Sequence, residues 1–126
     1  MDLRPGLTAR VVLTVSDADT AAALGSGDVP VLGTPRVLAL AEAATVAALA
    51  GTLPDGSTTV GTRVDLAHLL PTAVGHTVVA EATLSTVDGR RLAFTVAVHD
   101  GAEVAARGRV ERVVVDREAF VKKAYQ

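Results

Sequence analysis

The chain has no cysteine and almost no aromatic residues: two phenylalanines, one tyrosine and no tryptophan in 126 positions. Without cysteine there is no disulfide scaffold, no thiolate metal site and no cysteine nucleophile. With so few rings, the core must be built from Val, Ala and Leu, small side chains that let backbones approach closely. Apolar residues still make up 49% of the chain, enough for a real core and too many for a disordered one. The net charge of -2 offers no basic footprint, so no nucleic-acid partner is expected. No apolar run approaches the ~20 residues that span a bilayer. The opening Met1-Asp2-Leu3-Arg4-Pro5 lacks the apolar centre of a signal peptide. A cytoplasmic protein with no membrane partner is expected, folded as one domain over residues 1–126.

Residues 7–15 read as a first strand. Residues 16–33, rich in Asp, Ala, Gly and Pro, lack periodicity and read as a loop or short mobile lid. Thr34-Pro35 opens a helix, with Thr34 as the N-cap and Pro35 as the first helical residue; it runs to about Ala50 and stops at Gly51. Strands are expected over Val60 to Leu70, His76 to Val87, Arg91 to His99 and Glu103 to Val115, with turns at Asp88-Gly89-Arg90 and Asp100-Gly101. In the last of these, Val104, Ala106, Gly108, Val110 and Val114 share one face by alternation. A short helix over Arg117 to Tyr125 closes the chain. The 34–50 helix is apolar on nearly every side, which predicts burial all round. One antiparallel sheet wrapped around one long buried helix is an α+β, hot-dog arrangement.

Glu42 is the only charged residue between Val37 and Ala50. A carboxylate in such a setting needs a partner or a raised pKa, and either prepares a general base or nucleophile. If it stood alone, replacing it with Ala would relieve desolvation and raise stability. A solvated helix edge is the plainer alternative. In the Val60–Leu70 strand the even positions Val60, Thr62, Val64, Leu66, His68 and Leu70 are expected to face the helix. That places His68 on the inner face, as a catalytic imidazole or a structural histidine. Thr34 sits at a helix start, where backbone N–H groups receive developing negative charge. Arg112 falls by parity on the inner face of the last strand, where it needs an acceptor or lies beyond the covered sheet. The sequence contains no metal-spaced cluster, P-loop, dinucleotide fingerprint or serine elbow, so neither a metal nor a cofactor is expected.

Gly33-Thr34, Glu42 eight residues on, Gly61-Thr62 and His68 form one pattern. Asp88-Gly89-Arg90-Arg91-Leu92, Ala97-Val98-His99-Asp100-Gly101 and Glu111-Arg112 continue it. Over nearly its whole length the chain resembles the fluoroacetyl-CoA thioesterase family of hot-dog proteins. The resemblance implies hydrolysis of an acyl-CoA, with Thr34, Glu42 and His68 as the catalytic group. It also implies Gly61 beside the thioester and Arg112 reaching the substrate pocket. The fluoroacetyl-specific member carries phenylalanines in the segment before the helix. Here residues 16–33 have none, so general thioesterase activity without fluorine selectivity is expected. Eight helical residues separate Thr34 from Glu42 by ~12 Å. A site using both needs either a folded-back loop or two subunits, and a homodimer with sites at its interface is expected. The rival reading is a non-catalytic module that binds acyl thioesters. A hot-dog dehydratase is a third, but its His and carboxylate pattern is missing.

Overall fold

The computed structural model describes residues 2–126. Five strands form one antiparallel sheet: β1 (Thr8–Thr14), β2 (Ser57–His68), β3 (Thr77–Asp88), β4 (Arg91–Asp100) and β5 (Glu103–Asp116). Their order across the sheet is β1-β3-β4-β5-β2. The three helices are α1 (Ala21–Leu24), α2 (Thr34–Ala48) and α3 (Arg117–Ala124). This is the expected α+β wrap of a sheet around one long helix. Gly89 and Gly101 carry the two hairpin turns, with φ of 58° and 61°, where a side chain would be strained.

The core is aliphatic, as the composition requires. Leu32, Leu40, Leu84, Leu92, Val37, Val78, Val98 and Val110 are fully buried, with alanines between them and Phe94 as the one large ring. Strand alternation accounts for most of it. Ala106, Val110, Arg112 and Val114 of β5 are buried, while Arg107 and Arg109 are exposed.

Three expectations need correction. The first concerns α2, which is not buried on every side. It buries Val37, Leu40, Ala41, Ala44, Thr45 and Ala48, and leaves Ala39, Ala43, Val46 and Ala47 exposed. One sheet covers one side of a helix, and its apolar outer side has no cover among the described residues.

Thr34, secondly, is not the N-cap. Gly33 takes that place, makes no side-chain cap bond, and leaves Thr34 as the first helical residue. Residues 16–33, thirdly, are not a featureless loop. Asp17–Asp19 form a 3-10 turn and α1 follows. Isolated bridges Thr20↔Leu32 and Val31↔Ala73 tie the segment to the body of the fold.

Candidate active site

Thr34, freed from capping, uses its hydroxyl elsewhere. Its Oγ1 lies 2.8 Å from Nδ1 of His68, the last residue of β2. The inward parity expected for His68 is therefore met. Its Nε2 is buried and has no hydrogen-bond partner among the described residues. A buried imidazole nitrogen left unpartnered is costly, and is a place for a substrate group or a water. Beside this pair runs a groove of about 360 Å³ whose walls include Val29, Val31, Leu32, Leu69, Leu70 and Pro71. Val29 and Leu69 are each 49% exposed there.

A second cluster lies farther along α2. Glu42 Oε2 accepts a hydrogen bond from Arg112 Nη1 at 3.0 Å. The Arg112 side chain is 7% exposed and that of Glu42 is 33%. Glu42 is thus neither lone nor fully wet; it is half of a semi-buried ion pair. Arg112 has its expected inward direction and finds its acceptors there. Gly61 packs against the carboxylate: a Cβ built on it would collide with Glu42 Oε2.

A β-bulge in β2 makes this possible. Gly61 pairs with Arg112 and Arg63 with Glu111, leaving Thr62 as the extra residue. Thr62 instead donates its hydroxyl to the Glu111 carbonyl. Before the bulge the odd positions Thr59 and Gly61 face the helix; after it the even positions Val64, Leu66 and His68 do. Strict even parity from Val60 onward is thereby corrected at Val60 and Thr62.

The segment before α2 is clasped to it. Arg36 Nε lies 3.1 Å from Asp19 Oδ1. Gly33 N–H donates to the Asp19 carbonyl, and Ala21 N–H to that of Val31. The Ser16 N–H holds the Asp19 carboxyl below the ordinary carboxylate range. The Ser16 hydroxyl and the Arg36 charge add to this, against the opposing effect of burial.

Residues 15–118 match the model of the fluoroacetyl-CoA-specific thioesterase family. A fluoroacetyl-CoA thioesterase from Streptantibioticus cattleyicolor is 38% identical over 96 residues, which is 76% of this chain and 69% of that protein. The chain belongs to this family. Structure agrees. A solved structure of the fluoroacetyl-CoA thioesterase superposes with a TM-score of 0.92 at 31% identity, covering 100% of this chain and 98% of the other. A hot-dog-like protein from Thermanaerovibrio acidaminovorans gives 0.89 at 27% identity, over 99% and 96% of the two chains.

Within one chain of this thioesterase, the five residues expected at the site fall into two groups. Thr34 and His68 meet at the start of α2. Glu42, Arg112 and Gly61 meet about two turns later, ~12 Å along the helix axis. The sequence reading missed Thr59, whose Oγ1 accepts from Arg112 Nε at 2.9 Å and whose carbonyl accepts from Nη2 at 3.0 Å. The available signal was the acceptor requirement of an inward arginine, but the bulge hid which residue met it. Also missed was the Asp19–Arg36 clasp, which links an acidic turn to a helix 17 residues on.

Proposed function

We propose that the chain hydrolyses acyl-CoA thioesters, with Thr34, Glu42 and His68 as its catalytic group, in a homodimer whose sites lie at the subunit interface. The observation that carries this reading is the Thr34–His68 contact of 2.8 Å beside an apolar groove. A hydroxyl, an imidazole and a carboxylate are the groups that acyl transfer uses. In this reading the acyl group lies in the groove and its thioester carbonyl points toward backbone N–H groups at the start of α2 or near Gly61. Glu42 takes a proton from a water that attacks the carbonyl carbon. The C–S bond breaks, His68 supplies a proton to the departing thiolate and is restored by the proton that Glu42 took from the water, and Thr34 orients His68. The products are a carboxylic acid and free CoA. A thiol of pKa near 8.5 leaves readily, so modest acid assistance suffices.

The ~12 Å between the two groups supports a site built from Thr34 and His68 of one protomer and Glu42 of the partner subunit. The uncovered apolar side of α2, with Val46 53% exposed, supports burial against a second copy. So does the position of β2 at a sheet edge. Crystal structures of the fluoroacetyl-CoA thioesterase include one with fluoroacetate and CoA bound, which favours CoA as the thiol carrier here. The aliphatic groove and a lid without phenylalanine favour plain aliphatic acyl groups over fluoroacetyl.

The test is a panel of short, branched and aryl acyl-CoAs, including fluoroacetyl-CoA, with release of free thiol as the readout. Turnover of at least one aliphatic acyl-CoA is expected, with fluoroacetyl-CoA no better than acetyl-CoA by more than about tenfold. Binding without turnover across the panel would favour the non-catalytic module instead.

A further inference from the structure

Arg112 presents three nitrogens, and each has one acceptor: Nη1 the Glu42 carboxylate, Nε the Thr59 hydroxyl and Nη2 the Thr59 carbonyl. Two of the three belong to one residue. From the geometry we infer that Thr59 is a positioning residue for the reaction: it clamps the Arg112 guanidinium so that Nη1 is aimed at Oε2 of Glu42. The inference rests on the reading that Glu42 is the reacting carboxylate.

A guanidinium is planar, so fixing Nε and Nη2 fixes the direction of Nη1 as well. The clamp is stiff for three reasons. Thr59 is β-branched, with few rotamers. Its carbonyl belongs to a paired strand, since Thr59 is the register partner of Val114. Arg112 itself is buried and has no solvent position to relax into. The consequence reaches the carboxylate. Oε2 is held by Arg112 on one side and by the bare Cα of Gly61 on the other. Oε1 makes no hydrogen bond among the described residues, and a third of the side chain is open to solvent. The clamp therefore decides which oxygen is occupied and which is presented to water. Placing a base within a fraction of an ångström matters to rate far more than to ground-state binding. Thr59 touches neither substrate nor reacting atoms in this arrangement and acts through Arg112.

Thr59→Val keeps the side-chain shape and the carbonyl but deletes the Oγ1 acceptor; Thr59→Ser restores that acceptor. Thr59→Val is expected to lower kcat by about tenfold, the scale of a lost hydrogen bond to a charged group. KM should stay near the parent value, and Thr59→Ser should recover most of kcat. In an Arg112→Lys background, where no planar fork remains to be clamped, Thr59→Val should cost little more. Circular dichroism melts accompany each variant. If Thr59→Val does not fold, the contrast between Thr59→Ala and Thr59→Ser reads the same hydroxyl. Glu42→Gln separates the two levels of the argument. If it is inactive while Thr59→Val keeps parental kcat, or the two Thr59 and Arg112 losses simply add, the clamp is wrong and the catalytic carboxylate stands. If Glu42→Gln retains full turnover, the reading of the carboxylate falls and the role of Thr59 falls with it.

Discussion

Gly61 lies so close to Oε2 of Glu42 that no side chain fits between strand and carboxylate. Alanine at 61 must displace either the Glu42 side chain, which is one-third exposed and can move, or the strand, which is paired to β5 and cannot easily do so. The carboxylate is expected to give way. Gly61→Ala should reduce kcat by about a hundredfold or more while the protein stays folded. A melting temperature near the parent's, with lost turnover, is the expected pair of readings; near-normal turnover would mean that Glu42 works from a different position.

Glu42→Ala should abolish hydrolysis and lower stability. A lone buried carboxylate would have predicted the opposite, since its removal relieves desolvation. Here its loss strands the buried Arg112 cation without a counter-charge. The expected cost is about 2 kcal/mol, below that of a fully buried pair because a third of the Glu42 side chain reaches solvent. Differential scanning calorimetry should record a melting temperature several degrees lower, and an unchanged or higher value would contradict the ion pair.

Thr34→Val and His68→Ala should each reduce turnover by about a hundredfold or more, and the double variant should be little worse than either single one. The reason is their shared hydrogen bond. Additive losses would show that they act separately.

The proposed interface site makes a prediction of its own. Thr34→Ala protomers mixed with Glu42→Ala protomers, after dissociation and reassociation, should regain activity, because a heterodimer carries one intact Thr34–His68–Glu42 combination. No regain with demonstrated subunit exchange would place all three groups in one chain's site. Light scattering should give a dimer at micromolar concentration.

Asp19 has its carboxyl held low, so its contribution to stability is complete above the ordinary carboxylate pKa of about 3.9 and is lost as pH falls below it. Asp19→Asn should destabilise the protein at neutral pH and flatten the fall in melting temperature as the pH drops below the ordinary carboxylate pKa of about 3.9. An acid limb identical to the parent's would mean that the Asp19 carboxylate, held by Ser16 and Arg36, contributes nothing.

Much of this was legible from residue order. The single carboxylate on an apolar helix, the inward His68 and the inward Arg112 follow from period and parity, and the two strand residues point as read. What was not legible depends on contacts between distant segments. The partner of Glu42 lies 70 residues away. The role of Thr59 depended on a bulge, and alternation taken from Val60 put the wrong neighbours under the helix. The outer side of α2 was misread because apolar alanines look the same in the sequence whether or not a sheet covers them. The cap at Gly33 was misread because threonine is a good N-cap, and here a histidine 34 residues on takes its hydroxyl instead.

The interval from Gly61 to His68 is seven, an odd number, although both residues point to one side of the same strand. In an unbroken strand that is impossible, since same-side residues are an even count apart. The odd interval is therefore a written mark of the inserted Thr62, readable in any sequence that keeps it. The register shows where that extra residue goes. Gly61 and His68 are seven apart on β2, but their partners Arg112 and Ala106 are six apart on β5. The bulge therefore adds no reach along the sheet; it bends and twists β2 locally and switches which positions face the helix. A gap at that one position in an alignment would leave both ends of the strand facing the same way and would alter only the local kink beside Gly61.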